Sequence, residues 1–185
     1  MVHEQLKKYL RGLIEEHGFG EEEIRVTARP LTPEEAIGTP ADDDYPLLKG
    51  RERVMEAVFK GSRGQAYTDL FGNYTGTLEE IAALPPVNNF KRAVFVSSLN
   101  AVMCHLGLIE KTVHCRDGEP PECAAELADF LRNTVRGEKV LLVGLQPRLL
   151  EALAGSYQVR AVDLDPENIG KRKKGVLIEN PDSIG

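Results

Sequence analysis

The chain has 185 residues, of which 42% are hydrophobic and 28% are charged, and its formal net charge at pH 7 is -6. This composition is typical of a folded globular protein and excludes a disordered chain, and the negative charge argues against a nucleic-acid partner, which would require a basic face. The N-terminus lacks the apolar core of a signal peptide, and no later run is long enough to span a bilayer, so we expect a cytoplasmic protein with no membrane partner.

The N-terminal segment predicts one helix followed by one strand. The helix is indicated by apolar residues at helical spacing, namely Leu6, Leu10, Leu13 and Ile14. It should end at Gly18, because glycine commonly follows the last helical residue. The strand is indicated by Ile24, Val26 and Ala28, which alternate with polar residues up to Pro30.

Two capping boxes mark the starts of short helices. In the first, Thr32 precedes Pro33 and is followed three residues later by Glu35; in the second, Thr77 is followed by Glu80. In such a box the threonine and glutamate side chains each accept a hydrogen bond from the other residue's backbone N–H. We therefore predict one helix from Pro33 and another after Thr77, the second of which ends before the prolines at 85 and 86.

Between and after these boxes, the sequence predicts a hairpin and then a buried helix. Residues 54–59 and 65–69 have strand character, and the glycine-containing stretch 61–64 joins them. Residues 89–106 predict a long helix that is apolar around most of its circumference and is therefore buried. Ser97, Asn100 and Cys104 share one side of this helix. A serine there is expected to bond to the backbone, whereas Asn100, in the middle of an apolar helix, indicates a cavity or a ligand.

The second half of the chain predicts a different kind of unit. In chain order its elements are a helix from Pro121 to about Arg136, a strand at 139–143, a helix from Pro147, a strand at 159–162 and a third strand from 176. Strand, glycine turn, helix, strand and acid make half of a doubly wound fold, and continuous apolar strands indicate a parallel sheet. We therefore predict an α/β protein with an α+β domain at 1–110 and a Rossmann-like domain at 111–185.

Polar residues follow the predicted strands of this second unit at the edge where parallel sheets bind ligands. Gly144 and Gln146 lie in the turn before a helix, whose first N–H groups attract anions. Asp163, Asp165 and Asn168 follow the next strand, where an acid would hold a ribose. The single glycine falls short of the full dinucleotide fingerprint. A purely structural role stays open, in which Asp165 caps a turn and Asp163 ends a strand.

All three cysteines and half of the histidines lie between residues 104 and 123. Sulfur and imidazole suit zinc, copper and softer metals, so His105, His114, Cys115 and Cys123 are the candidate ligands of a transition metal. Their spacing matches no structural zinc signature, and Cys123 alone has the first-turn helix position of a reactive thiol. In a reducing compartment we expect free thiols or metal ligands rather than a disulfide.

Seven motifs, in their order between Ile37 and Gly170, resemble a bacterial and archaeal family of unknown function that is labelled for heavy-metal chelation. They read IGTP, DYPLLKGRE, GQAYTD, SLNAV, TVHC, GLQP and DLDPENIG. The resemblance implies a first domain like the N-terminal domain of enolase, joined to a Rossmann-like domain, with a ligand in the cleft between them. It also implies further Rossmann strands after Gly185. Enolase chemistry is not implied, because the catalytic barrel is missing from these residues.

These patterns lead to one expected function and two alternatives. We expect a protein that binds a small molecule, a metal or a metal complex in an interdomain cleft, with a transition metal as the candidate cofactor. One alternative is an enzyme that uses a nucleotide-like cofactor such as S-adenosylmethionine, because VDLDP after a glycine turn resembles an acidic strand end of methyltransferases. The other is a purely structural partner protein. No base and nucleophile pair indicates covalent catalysis, and a homo-oligomer stays open.

Overall fold

A computed structural model of the chain describes residues 2–20, 25–40, 45–49 and 52–184. The chain divides into two compact units, one formed by Met1–Gly38 and Pro46–His114 and the other by Thr39–Tyr45 and Cys115–Gly185. The structure is mixed α/β, with one antiparallel sheet and one mostly parallel sheet, as the sequence predicts at this level. The domain boundary that the sequence predicts after residue 110 lies inside the stretch Pro46–His114 of the first unit. No helix within the described ranges has the length and apolarity to cross a bilayer.

The first unit is an antiparallel sheet with four α-helices and a short 3-10 helix (Pro46–Lys49) among its described residues. Its helices are α1 (Val2–His17), α2 (Pro33–Ile37), α3 (Leu78–Ala83) and α4 (Asn89–His105), and its strands are β1 (Arg25–Pro30), β2 (Arg53–Phe59), β3 (Ser62–Thr68) and β4 (Tyr74–Thr77). The strand order β3-β2-β1-β4 makes β3 and β4 the edge strands. The sequence did not predict β4, and Ile24 of the predicted first strand lies outside the described residues.

Helix α4 packs against β3 and β2 and forms much of the core of this unit. Its side chains Val94, Phe95 and Val102 are fully buried, as the apolar circumference predicts. Gly64 of β3 lies directly under the helix: a Cβ atom at this position would come within 3.0 Å of backbone atoms of Ser97, Asn100 and Ala101. Glycine therefore permits the close approach that holds Asn100 over the edge of the sheet.

Both predicted capping boxes are confirmed. Thr32 Oγ1 accepts from the N–H of Glu35 at 3.2 Å, and a Glu35 carboxylate oxygen accepts from the N–H of Thr32 at 2.9 Å. Thr77 and Glu80 make the same reciprocal pair at 3.2 and 2.8 Å. Since each box occupies N–H groups that the first turn leaves without helical partners, it fixes where α2 and α3 begin.

The first capping box predicts a pH effect on stability. The pKa of Glu35 is lowered to about 2, first by the side-chain hydrogen bond from Arg29 and next by the bond from the N–H of Thr32. A carboxyl whose pKa falls on folding stabilises the folded state above its unfolded value of 4.5 and loses this contribution as pH falls through its folded value. We expect Glu35→Gln to flatten the acid limb of stability between these values, measured by urea unfolding at each pH. An unchanged slope would contradict this assignment.

The hairpin between β2 and β3 is tighter than the sequence predicted. Instead of a loop at 61–64, Lys60 and Gly61 form the turn, both with positive φ of 47° and 84°, and Phe59 pairs with Ser62. Two residues with positive φ match the twist of the strands, which favours this short turn. The resulting register places Glu56 directly opposite Gln65.

The second unit contains a mostly parallel sheet. Its elements are α5 (Glu119–Thr134), β5 (Lys139–Val143), α6 (Pro147–Ala154), β6 (Gln158–Val162), β7 (Arg172–Lys173) and β8 (Val176–Glu179). The strand order is β5-β6-β8-β7, with β5, β6 and β8 parallel and β7 antiparallel to β8. The three parallel strands and the helix start at Pro147 are confirmed, whereas β7 was not predicted. Leu142, Leu150, Ala161 and Ile178 form the core between the sheet and α6.

Candidate functional site

A pocket of about 200 Å³ lies in the first unit at the outer edge of β3, and we call it the β3 pocket. It is lined by residues 65–67 of β3, by Asn100 of α4, and by residues 109 and 111–114, which follow α4. Two residues that the sequence selected on separate grounds, Asn100 and His114, thus line one pocket. The sequence predicts that Asn100 contacts a small ligand and that His114 binds a metal.

Residues 112–114 are held against the edge of β3 by three hydrogen bonds. The N–H of Gln65 donates to the carbonyl of Thr112 at 2.9 Å, and Thr112 Oγ1 donates to the carbonyl of Arg63 at 2.6 Å. The N–H of His114 donates to the side-chain oxygen of Gln65 at 2.7 Å. Thr112 is buried as a consequence, and these bonds place His114 at the pocket wall.

A buried carboxylate orients the side chain of Gln65. Glu56 is only 6% exposed, and its Oε2 accepts from Arg63 Nε at 2.9 Å and from Gln65 Nε2 at 2.8 Å. Because the amide nitrogen of Gln65 donates to Glu56, its oxygen faces the N–H of His114. Glu56 thereby acts through Gln65 on the position of the pocket wall.

The pocket combines neutral polar groups with basic ones. Asn100 Nδ2 donates to the carbonyl of Gln65 at 3.0 Å, and no described residue donates to Asn100 Oδ1. Burial, and to a lesser degree the charge of Glu52, raise the pKa of the Tyr67 hydroxyl, so it stays a neutral donor at physiological pH. The ring of Tyr67 meets that of His114 edge-on at 5.6 Å, and Lys111 adds a positive charge to the lining.

The cysteines correct the expectation of free thiols. Cys115 and Cys123 form a disulfide, with Cα atoms 6.9 Å apart, and Cys104 is free. The cause is a turn that sequence spacing does not reveal: Asp117 has a positive φ of 51°, and the N–H of Glu119 donates to the carbonyl of Arg116. This turn returns the chain so that α5, which begins at Glu119, brings Cys123 to Cys115. A disulfide carries no thiolate, and thiolate is the form that ligates metals.

The four predicted metal ligands therefore lack two thiolates while the Cys115–Cys123 disulfide is intact. His105 belongs to an aromatic cluster, with ring centroids 5.3 Å from Phe59 and 6.2 Å from Phe19, while His114 lies at the β3 pocket. Within residues that the structure describes, no three His, Cys, Asp or Glu side chains converge to hold a metal ion. A transition-metal site at these residues stays a prediction, and it would need the thiols of the reduced chain.

In the second unit, Asp163 ties together the loops that follow β5 and β6. Its Oδ2 accepts from the N–H of Leu145 at 2.8 Å, and its Oδ1 accepts from the N–H of Asp165 at 2.7 Å. Asp165 in turn accepts from the N–H of Glu167 at 2.9 Å. These bonds match the structural alternative, in which Asp165 caps a turn and Asp163 fixes the strand end.

The glycine turn before α6 is formed by bonds to the protein itself. The N–H of Gly144 donates to the carbonyl of Val162 at 2.8 Å, so two N–H groups of the turn, those of Gly144 and Leu145, are occupied. Gly144 has a φ of 85°, and nothing lies within 4 Å of a Cβ atom added there. Its backbone angle, rather than a close approach, therefore requires glycine. Gln146 precedes α6, and its side chain makes no capping hydrogen bond. Asn168 lies in the loop after β6, where its N–H donates to the carbonyl of Asp165.

Sequence reasoning missed Gln65, Tyr67 and Lys111 as pocket residues. The available signal was the segment GQAYTD, in which Gln65 and Tyr67 project from the same face of a strand. That segment lines a pocket only because residues 112–114, about fifty positions later, return to it, and local patterns do not report such a contact. That the ligand lies in a cleft between the domains stays a prediction.

The chain matches no protein-family model, no curated protein and no solved structure. The resemblance to the family labelled for heavy-metal chelation therefore stays a prediction from the seven motifs.

Proposed function

We propose that the protein binds a small polar ligand in the β3 pocket. The observation that carries the proposal is the convergence of Asn100 and His114 on one pocket, where Asn100 Oδ1 faces no described donor. This oxygen is available to accept a hydrogen bond from a ligand, which would replace its contact with solvent. The volume of about 200 Å³ is below the usual range for drug-sized ligands, which favours a small one.

The lining sets the chemistry that such a ligand needs. Asn100 Oδ1 calls for a donor, while the hydroxyl of Tyr67 can donate to an acceptor. Ile109 and Val113 supply apolar contact in the same lining. A small molecule with both an N–H or O–H group and an acceptor oxygen satisfies these requirements together.

The resemblance also implies heavy-metal chelation. We propose this function only for the chain in which the Cys115–Cys123 disulfide is reduced. Cleavage of the Cys115–Cys123 disulfide would return two thiols, the ligand type that soft metals prefer. The enolase-like and Rossmann-like assignments of the two units are likewise proposals. They are supported by an antiparallel sheet with helices in the first unit and by parallel strands in the second.

A second candidate function is an enzyme that binds a nucleotide-like cofactor at the strand ends of the second unit. The observation that favours it is the placement of Asp163 directly after β6, beside the Gly144 turn that follows β5. Each carboxylate oxygen has a further lone pair beyond the one that a backbone N–H uses. Those lone pairs are the acceptors that ribose hydroxyls would need.

One ligand screen separates the two candidates. Thermal shifts would be recorded with small carboxylic acids, short peptides, nucleotides and S-adenosylmethionine, and with zinc and copper ions before and after reduction. A ligand at a hundredfold excess over its Kd stabilises the fold by about 2.7 kcal/mol, which is readily measured. We expect the stabilising ligand to lose its effect in Asn100→Ala and keep it in Asp163→Asn. The reverse pattern would support the cofactor, and a screen without any shift would contradict both.

A further inference from the structure

Strand β5 is an edge of the mostly parallel sheet, and half of its backbone groups point away from that sheet. The strand order β5-β6-β8-β7 leaves β5 with one neighbour among the described strands. The carbonyl of Glu138 accepts from β6, and the N–H of Gly144 donates to β6. Because the direction of the backbone groups alternates along a strand, Lys139, Leu141 and Val143 turn theirs outward. We call these outward N–H and C=O groups the β5 edge.

The β5 edge is open within the part of the chain that the structure describes. No described residue bonds to the N–H or C=O of Lys139, Leu141 or Val143. The side chains of Leu141 and Val143 are also 45% and 66% exposed. Natural edges are blunted by proline, by bulges and by charges, but the strand KVLLV has a single lysine at its first residue and an unbroken register with β6. Six open backbone groups beside apolar side chains are what an added strand requires.

The β5 edge is complementary to a second copy of itself. In an antiparallel pair, two opposite residues that both face the partner strand exchange two hydrogen bonds. With Leu141 opposite Leu141 of the second copy, Lys139 of each copy comes opposite Val143 of the other. All three pairs then join outward-facing residues, so a two-fold axis at Leu141 satisfies all six groups of each edge. Such a symmetric contact closes after two copies.

The charges at the two ends of β5 favour the same antiparallel arrangement. Two positive side chains and one negative side chain lie at its start, namely Arg136, Lys139 and Glu138. Three acidic side chains lie in the loop after β6, at the other end of these parallel strands, namely Asp163, Asp165 and Glu167. Asp163 is close to the end of β5, since it accepts from the N–H of Leu145. Antiparallel pairing brings the positive start of one copy beside the acidic end of the other, which is favourable.

We propose that two copies of the chain associate through the β5 edge, with their β5 strands antiparallel, so that the two four-stranded sheets become one. The proposed dimer goes beyond the proposed function and does not depend on the β3 pocket. A strand from another protein would need both the matching spacing of outward groups and the opposite order of charges, whereas a second copy supplies both. Contact between the two Leu141 side chains would also remove apolar surface from water.

Sedimentation and amide hydrogen exchange test the dimer in the unmodified protein. The average mass should rise with concentration from that of one chain to that of two and then stay constant. The amides of Leu141 and Val143 should exchange quickly in the dilute monomer and slowly in the dimer. Those of Val140 and Leu142, which face β6, should be protected in both. This alternation distinguishes strand pairing from a contact elsewhere on the surface.

A pair of variants isolates the backbone bonds. Leu141→Pro and Leu141→Ala both remove the leucine side chain, but only Leu141→Pro removes the N–H, and proline is tolerated in an edge strand where the N–H faces outward. The two-fold axis makes each substitution count twice. We therefore expect Leu141→Pro to dimerise about a hundredfold more weakly than Leu141→Ala, which is about tenfold for each lost bond.

A second pair tests the charges and decides if Leu141→Pro does not fold. Lys139→Glu should weaken the dimer about tenfold, because it places acidic groups of the two copies together at both ends of the pair. Lys173→Glu makes the same change of charge in β7, the opposite edge of the sheet, and should leave the dimer unchanged. Added salt should reduce the difference between the two variants.

Four outcomes would overturn the inference. One is a monomer at every concentration, and another is a dimer in which the amides of Leu141 and Val143 stay unprotected. The third is an assembly that keeps growing beyond two copies, because the proposed contact closes. The fourth is equal dimer affinity within either pair of variants. If the amides of the β5 edge become protected only when a different protein is added, the edge takes another strand and the second copy is wrong.

Discussion

Alanine at position 64 is expected to lower the free energy of unfolding of the first unit by about 3 kcal/mol, at the upper end of the usual cost of overpacking. The added methyl group would lie within 3.0 Å of the Ser97 carbonyl oxygen and the Ala101 nitrogen. Both belong to the backbone of α4, so no side chain can rotate away to make room. The helix must move off the strand, and urea unfolding would measure the cost.

Gly12→Ala is the matched control for this substitution. Gly12 lies within α1, and nothing is within 4 Å of a Cβ atom added there. Alanine is favoured over glycine inside a helix by about 0.5–1 kcal/mol, so this variant should be more stable than the original protein. Equal stability of Gly64→Ala and Gly12→Ala would contradict the close packing of α4 on β3.

Gly64→Ala also tests the link between the fold and the proposed site. Displacement of α4 from β3 would lengthen the 3.0 Å bond from Asn100 to the carbonyl of Gln65, which orients the amide in the β3 pocket. Ligand binding should therefore weaken in Gly64→Ala even under conditions where the variant is fully folded. Gly12→Ala should bind as the original protein does.

The features that the sequence predicted well are those decided by neighbouring residues. The capping boxes at Thr32 and Thr77 require only a threonine and a glutamate three residues apart, and both helices begin there. The apolar run at 139–143 likewise became a strand of a parallel sheet. By contrast β4, with the sequence YTGT, has no apolar pattern, and it becomes a strand because β1 offers it an edge to pair with.

The site was predicted less completely, because it depends on contacts between distant parts of the chain. Asn100 was predicted because a polar side chain in an apolar helix requires a partner, and it lines the β3 pocket. Gln65 carried no such signal. Its side chain is positioned by hydrogen bonds with Glu56 across the hairpin and with His114, which is distant in the sequence. Asp163 was predicted to contact a ligand, and the bonds that the structure shows it making are from the backbone N–H groups of Leu145 and Asp165 in its own unit.

Loss of the Cys115–Cys123 disulfide is expected to destabilise the second unit by about 2–3 kcal/mol. The two cysteines are separated by 8 positions, and closing a loop of this length removes roughly that amount of free energy from the unfolded chain in the entropic model. The double substitution Cys115→Ser with Cys123→Ser should lower the melting temperature, and a reductant should lower that of the original protein by a similar amount. Cys104→Ser, which changes a free cysteine, should keep both the bond and its response to reductant.

Alkylation under denaturing conditions tests the same bond chemically. Without reductant one thiol should react, that of Cys104, and after reduction all three should react, since the chain has three cysteines. Three reactive thiols before reduction would contradict the disulfide and return Cys115 and Cys123 to the set of candidate metal ligands.

If instead the disulfide is found and the reduced protein alone binds zinc, loss of that binding in the double variant would assign the metal to these two sulfurs. Zinc binding that survives the double substitution would place the metal elsewhere and remove the cysteines from the prediction.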